Sequence, residues 1–133
     1  MVKFMILGLV VFASGLFASP TVPIRHVHTQ DIARLISTGK PSLILDARTQ
    51  AYDDLTRIPG AKLLPYNSTE KQIADMIPKK DTLIVLYCTS TKCPASRYMA
   101  ERLVRLGYRN VNTYQEGIVA WIAAGNPIEI DNK

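Results

Sequence analysis

The sequence lacks the features on which nucleotide-binding and nucleic-acid-binding proteins depend. It has no Gly-rich phosphate-binding loop, so no motif is present to hold a nucleotide cofactor. Its 16 Lys and Arg residues exceed its 11 Asp and Glu residues, giving a net charge of +5, but they are scattered singly and form no stripe interleaved with aromatics. This pattern indicates a solvated surface with a weak preference for small anions. We therefore expect no cofactor and no nucleic-acid partner.

Metal ligands and cysteines are also sparse. His26 and His28 alternate with no Cys or carboxylate pattern near them, which argues against a metal site. Residues 53–54, both Asp, lack the alternating ligands of a calcium loop and are predicted to form a solvated loop face. The only cysteines are Cys88 and Cys93, which an oxidising compartment would allow to pair and a cytosol would keep reduced.

The first residues differ from the rest of the chain. Lys3 is followed by an uncharged, largely apolar run, Phe4 to Ala18, which is typical of a secretory signal peptide over residues 1–19. No side chain is charged from Phe4 to Ile24, a length that also allows an uncleaved membrane anchor. No cysteine lies near this segment, which excludes a lipid-anchored lipoprotein. We expect an exported protein, periplasmic or secreted, that contacts a membrane only if the segment is retained.

The remaining residues, 20–133, have the size and apolar content of a single domain. The whole chain is 47% hydrophobic, enough for one core, and it contains no internal repeat. Strand patterns alternate with helix patterns along it; the strands are predicted at 43–45, 61–65, 82–87 and 110–114, and the helices at 30–38, from Asn67 or Ser68 to Pro78, from Pro94 to Leu106, and at 117–124. This alternation predicts an α/β fold in which helices cover both faces of a central, mainly parallel sheet. We expect a monomer.

The segment predicted to be reactive follows the most apolar strand. Cys88 comes directly after that strand, and the polar loop 88–93 leads to a helix opened by Pro94. In open parallel sheets, ligands gather at the carboxyl ends of the strands, where helix N-termini supply N–H donors. Such donors hold an anion and lower the pKa of a thiol, which makes it a nucleophile. The alternative is that Cys88 is only a small buried apolar residue at a strand end.

The order of motifs along the chain supports the reactive interpretation. The motifs, in chain order, are Leu43-Ile44-Leu45-Asp46-Ala47-Arg48, Tyr52, Ile58-Pro59-Gly60-Ala61, Val85-Leu86-Tyr87-Cys88, Ala100, Leu103, Leu106-Gly107-Tyr108, Asn110-Val111, Gly117-Ile118, Trp121 and Gly125-Asn126-Pro127-Ile128. With these motifs, the sequence from His26 to Ile130 resembles a rhodanese domain. The resemblance implies an α/β fold in which Cys88 is the catalytic thiol and the amides of a six-residue loop hold the transferred sulfur. It also implies that Asp46 and Arg48 help to organise the site and the fold.

The active loop departs from the usual family pattern. Thr89 and Thr91 stand where the family often has Arg and Gly, and Lys92 is the only cation in the loop. The loop resembles a Cys-x4-Cys-Pro subgroup of rhodanese-like sequences. The implied reaction is a double displacement in which Cys88 takes sulfur from a small anionic donor such as thiosulfate and yields it to a thiol or cyanide. The residues Thr89, Ser90, Thr91, Lys92 and Cys93 are the candidate anion-binding loop.

Cys93 has two interpretations. It is either a resolving thiol that attacks an oxidised or persulfidated Cys88 and closes a reversible disulfide, or a residue that merely starts the helix. A spacing of five residues allows the Cα atoms to come within about 7 Å, so a disulfide is sterically possible. A permanent structural disulfide is less favoured, because closing so short a loop constrains the unfolded chain little.

Two other functions fit the same loop. The first is an exported redox protein that uses Cys88 and Cys93 as a dithiol couple, and the second is a non-catalytic module that binds an anion or partner. A phosphatase is disfavoured, because such enzymes close a seven-residue loop with Arg, and the first Arg after Cys88 here is Arg97.

Overall fold

The computed structural model describes residues 10–11, 14–15 and 21–132. Its strands are β1 (Arg25–His26), β2 (Leu43–Asp46), β3 (Thr56–Arg57), β4 (Lys62–Leu63), β5 (Ile84–Tyr87), β6 (Val111–Tyr114) and β7 (Glu129–Ile130). Its helices are α1 (Thr29–Thr38), α2 (Glu70–Met76), α3 (Ala95–Arg105) and α4 (Gly117–Ala123), and a 3₁₀ turn spans Gln50–Tyr52. The predicted signal segment lies almost wholly outside the described residues and stays a prediction. No helix in the described part of the chain is long and apolar enough to cross a membrane.

A five-stranded parallel sheet forms the centre of the molecule. The strand order is β1-β6-β5-β2-β4. Each of the three middle strands, β2, β5 and β6, pairs over four residues with its neighbour. These strands are short apolar or mixed runs buried on both sides, as expected of a parallel sheet covered by helices.

Helices cover both faces of this sheet, as predicted. The side chains of each strand alternate between two apolar clusters, because successive residues of a strand point to opposite faces. On one face Leu45 and Leu86 pack with α2 and α3, and on the other Ile44 and Val85 pack with α1 and α4. The prediction of an α/β fold with a mainly parallel sheet is therefore confirmed.

The predicted helix N-caps differ from the observed ones by one or two residues. The N-cap of α1 is His28, whose backbone N–H donates to the carboxylate of Asp31 at 2.8 Å. Thr29, which is expected at this position from its side chain, is already inside the helix. The N-cap of α2 is Thr69 rather than Asn67 or Ser68, because the hydroxyl of Thr69 accepts from the N–H of Gln72 and that residue's amide group accepts from the N–H of Thr69.

Three of the strands have no counterpart in the sequence prediction. The strand β1 adds to the edge of the main sheet, and β3 pairs with β7 in a separate antiparallel ribbon. Each is two residues long and pairs with a partner more than 70 positions away. Their pairing is therefore set by tertiary contacts and leaves no local pattern.

Candidate functional site

The loop 88–93 lies at the carboxyl edge of the main sheet. Cys88 directly follows β5, and the ends of β2 and β6 lie beside it, since Tyr87 is in register with both Asp46 and Tyr114. The N–H of Ala47 also donates to the carbonyl of Tyr87 at 2.9 Å, which fixes the backbone just before the cysteine. The position of Cys88 is thus set by the centre of the sheet.

The start of α4 holds the first two carbonyls of this loop. The N–H of Ile118 donates to the carbonyl of Cys88 at 3.0 Å, and the N–H of Val119 donates to the carbonyl of Thr89 at 3.1 Å. Gly117 makes this contact possible, because a Cβ there would lie 2.5 Å from the carbonyl oxygen of Thr89. Its φ of +70° also favours glycine.

Cys88 and Cys93 are joined by a disulfide in the structure. Their Cα atoms lie 6.2 Å apart, inside the limit that the spacing allowed. The loop curls back through a hydrogen bond from the N–H of Cys93 to the carbonyl of Ser90 at 3.0 Å. Cys88 is only 2% exposed and packs at the edge of the apolar cluster of α2 and α3, whereas Cys93 is half-buried.

The loop keeps several hydrogen-bond donors available. Among the residues that the structure describes, none accepts a hydrogen bond from the backbone N–H of Thr89, Ser90 or Thr91. Lys92 is exposed beside them and brings a positive charge. These groups form a set of donors in the short loop between the two cysteines.

A cleft of about 400 Å³ opens over the disulfide. Its lining includes Cys88, Thr89, Ser90, Lys92 and Cys93 of the loop, together with Arg48. Thr91, also predicted to hold the anion, is exposed and does not line the cleft. The rest of the wall is formed mainly by tyrosines 52, 66 and 98 with Thr49, Pro94 and Ala95.

Asp46 and Arg48 form a buried ion pair beside the cleft. The guanidinium of Arg48 donates to both carboxylate oxygens of Asp46, with a shortest distance of 2.7 Å. It also donates to Asp54 at 3.0 Å and to the carbonyl of Thr56 at 2.7 Å. Although burial opposes the charge, the hydrogen bonds and attraction of Asp46 outweigh it and raise the pKa of Arg48. The pair ties the end of β2 to the loop that follows it.

A second buried arginine extends this network. Arg57 donates to Asp53 at 2.6 Å, to Asp131 at 3.0 Å and to Asp46 at 3.4 Å. The prediction that residues 53–54 form a solvated face is wrong for Asp53, whose side chain is fully buried, and holds for the exposed Asp54. The hydrogen bond from Arg57 is the main reason that the pKa of Asp53 falls to about 2.

Tyr87 places a hydroxyl at the same edge. Its oxygen accepts from the N–H of Ile58 at 3.3 Å, and burial, followed by the negative charge of Asp46, raises the pKa of the phenol. Tyr87 therefore stays protonated at all physiological pH values. It packs with Trp121 in the cluster of α1 and α4, and Trp121 donates to the carbonyl of Pro127 at 2.7 Å.

The structure brings together most of the predicted site residues. Loop residues Cys88, Thr89, Ser90, Lys92 and Cys93 share one cleft with Arg48, while Asp46 lies behind Arg48. Sequence reasoning missed Tyr52, Tyr66 and Tyr98 as cleft residues, although Tyr52 is among the residues that carry the family resemblance. Tyr98 lies off the apolar face that Met99 and Leu103 define on α3, and an aromatic at such a position was the available signal.

Comparison with known proteins gives the family. Residues 28–124 match the rhodanese-like domain family. A sulfurtransferase from Allochromatium vinosum is 30% identical over 106 residues, which cover 79% of this chain and 94% of that protein. The chain belongs to the rhodanese-like domain family.

Solved structures share the fold. The BH2092 protein of Bacillus halodurans superposes with a TM-score of 0.70 at 22% identity, covering 79% of this chain and 76% of that one. A thiosulfate sulfurtransferase from Pseudomonas aeruginosa superposes with a TM-score of 0.67 at 20% identity, covering 83% of this chain but only 21% of that larger chain. At these identities the likeness concerns the fold alone.

Proposed function

We propose that this protein is a sulfurtransferase that carries sulfane sulfur on Cys88. The observation that carries the proposal is the position of Cys88, at the end of the central strand β5 and at the floor of a cleft lined by donors. Membership of the rhodanese-like family and similarity to a sulfurtransferase support the same reaction. On account of its N-terminal segment, we place the reaction outside the cytosol.

The first step needs the disulfide to be opened by an exported dithiol. The Cys88 thiolate then attacks the outer sulfur of a donor such as thiosulfate. The S–S bond of the donor breaks, sulfite leaves with the electron pair, and Cys88 becomes a persulfide. A thiol or cyanide takes the outer sulfur in the second step, which returns the Cys88 thiolate.

The loop supplies the electrostatics for both steps. The free N–H groups of Thr89 and Ser90 and the ammonium of Lys92, all of which belong to residues that line the cleft, offer positive charge to the terminal sulfur. Such fixed donors stabilise an anion without reorganising during the reaction. Asp46 balances the charge of Arg48, so Lys92 is the cation of the loop whose charge is free to act on a ligand.

Cys93 gives the persulfide a second outcome. Its thiolate attacks the inner sulfur, Cys88 Sγ, which closes the observed disulfide and releases hydrosulfide. The disulfide would then mark the end of a turnover that found no acceptor. An exported dithiol reopens it by becoming a disulfide itself.

The test is a thiosulfate:cyanide transfer assay on reduced protein. We expect Cys88→Ser to fall to the uncatalysed background, whereas Cys93→Ser still takes up sulfur from thiosulfate in a single turnover but no longer releases hydrosulfide. Equal transfer by wild type and Cys88→Ser would refute the proposal.

The disulfide favours a second candidate, a thiol-disulfide redox protein. In that case, Cys88 and Cys93 exchange two electrons with exported proteins and no sulfur is carried. Sulfur uptake by Cys88 separates the two functions, and the reduction potential tests the redox function itself, because a bond below about −300 mV is too stable to cycle. A value well above this limit, with no sulfur uptake by Cys88, would support the redox function.

A further inference from the structure

The exposed tyrosines of this protein are concentrated at one place. The sequence has six tyrosines, and the structure describes all of them. Tyr87, Tyr108 and Tyr114 are buried, and the other three are exposed by 38 to 76%. All three exposed tyrosines, Tyr52, Tyr66 and Tyr98, line the Cys88 cleft. We refer to them as the tyrosine rim.

Three separate segments build the tyrosine rim. Tyr52 comes from the 3₁₀ turn, Tyr66 from the connection between β4 and α2, and Tyr98 from α3. The rings of Tyr66 and Tyr98 lie 6.1 Å apart at 54°, a favourable tilted arrangement. The guanidinium of Arg102 holds the backbone of this connection by donating to the carbonyl of Tyr66 at 3.2 Å. Tyr66 and Tyr98 thus form a supported pair, and Tyr52 lines the same cleft from a separate segment.

The cleft has room for more than a small inorganic anion. It measures about 400 Å³, whereas an ion the size of thiosulfate takes about 100 Å³, scaling from the roughly 30 Å³ of a water molecule. Exposed tyrosines at a cleft are typical of binding centres for proteins, since they offer large contact area at low entropic cost. A small anion therefore does not fill the cleft, and the exposed tyrosines leave contact area for a larger thiol.

The uncompensated charge at the cleft is positive. Within the described residues no carboxylate lines the cleft, and of its two lining cations Arg48 is paired with Asp46 and Asp54, whereas no ion pair is found for Lys92. Arg97 adds a further cation, with its guanidinium 5.5 Å from the ring centre of Tyr98. A ligand that complements this surface brings negative charge.

We infer that the cleft docks an exposed, acidic segment of a protein that presents a cysteine to Cys88, and that this cysteine is the sulfur acceptor. The inference rests on the proposed function for the transfer itself. The acceptor thiolate attacks the outer sulfur of the Cys88 persulfide, forms a persulfide of its own and leaves Cys88 as the thiolate. The tyrosine rim contacts the segment, and Lys92 and Arg97 attract its carboxylates.

Binding tests the surface without any turnover. The probe is a peptide in which a central serine, standing in for the cysteine, is flanked by glutamates, titrated into the oxidised full chain by calorimetry. We expect Tyr98→Ala and Tyr52→Ala each to weaken binding by about tenfold, as for a contact residue of an interface. Tyr98→Phe should stay within about threefold, because it keeps the ring.

Two controls make the result specific. Ile36→Ala removes a comparably exposed apolar side chain from α1, away from the cleft, and should bind as wild type. A peptide with lysines in place of the glutamates should bind at least about tenfold more weakly. Equal binding of both peptides, or wild-type affinity of Tyr98→Ala, would overturn the inference.

Transfer to the cysteine forms of the peptides separates this inference from the proposed function. We expect a higher kcat/KM for the acidic peptide than for the basic one or for N-acetylcysteine. A protein that moves sulfur to cyanide but treats all three thiols alike contradicts the inference and leaves the sulfurtransferase intact. A protein that binds the acidic peptide selectively yet moves no sulfur to any acceptor supports the docking surface and contradicts the proposed function.

Discussion

At the scale of single residues, the cleft depends on close contacts that a substitution would disrupt. Gly117 lies against the carbonyls of Cys88 and Thr89. Because it has no side chain, the start of α4 can approach the loop closely and fix its shape. Asp46 and Arg48 are both buried, and each is the main counter-charge of the other. Gly117 and Asp46 do not line the cleft, whereas Arg48 does, and the contacts of all three fix the segments beside the reactive sulfur.

Gly117→Ala should destabilise the protein and displace the loop. The new Cβ would meet the carbonyl oxygen of Thr89 at 2.5 Å in addition to the strain of a positive φ. We expect a loss of about 2 to 4 kcal/mol in urea unfolding, and slower alkylation of Cys88 by iodoacetamide in the reduced variant.

Gly125→Ala is the matched control. It has a similar φ of +79° but no atom within 4 Å of the added Cβ. It should lose only about 1 kcal/mol and alkylate at the wild-type rate. Equal effects of the two substitutions would show that the close contact between residue 117 and the loop affects neither the stability nor the reactivity of Cys88.

Asp46→Asn should cost far more stability than removal of a surface pair. It leaves the buried guanidinium of Arg48 without its main partner, for which we expect about 3 kcal/mol or more. In contrast, Lys71→Gln breaks the exposed pair with Asp75 and should cost less than about 0.5 kcal/mol. Similar urea midpoints for the two variants would contradict the role assigned to Asp46.

At the scale of elements, α4 connects the loop to α1. It is only seven residues long, too short to be stable alone, and depends on its neighbours. The carboxylate of Glu116, the N-cap residue of α4, accepts a hydrogen bond from Nδ1 of His28 at 2.6 Å. His28 is the N-cap of α1. The two helix starts are thereby linked at the edge of the sheet that carries Cys88.

This link should depend on pH. The hydrogen bond to Glu116 is the main reason that the pKa of His28 is raised above 6.5. The stabilisation is therefore fully present below about pH 6.5 and is lost as the pH rises through the higher pKa of the folded state. An NMR titration of the His28 ring should show the raised pKa, and Glu116→Gln should lower it. An unchanged midpoint in Glu116→Gln would show that the pair does not form in solution.

At the scale of the whole molecule, the disulfide contributes little to holding the fold together. Two apolar clusters, one on each face of the sheet, supply the core, whereas the disulfide joins residues only five positions apart. We therefore expect the protein to fold whether or not the two cysteines are bonded.

Reduction should leave the protein folded. Closing so short a loop is worth about 2 kcal/mol in the unfolded chain, so the reduced protein should unfold at a somewhat lower urea concentration with unchanged cooperativity. Cys93→Ser should match reduced wild type. Loss of near-UV circular dichroism on reduction would mean instead that the bond is structural.

The sequence predicts those elements and site residues that depend on one contiguous segment of the chain. The helix α3 and the strand β5 carry their own patterns, so their order and the parallel sheet were predicted correctly. The strands β1, β3 and β7 and the burial of Asp53 depend on partners far along the chain or on tertiary packing, and the sequence pattern missed them. At the site, the cysteine loop was found because it is one contiguous segment, whereas the tyrosine rim comes from three segments and needs the fold to be seen.

The most direct test of the account is the mass of the reduced protein after incubation with thiosulfate. We predict that the chain gains the mass of one sulfur atom, that peptide mapping places it on Cys88, and that the addition is absent in Cys88→Ser. An unmodified Cys88, or an added sulfur located on Cys93 alone, would contradict the claim that Cys88 is the sulfur carrier.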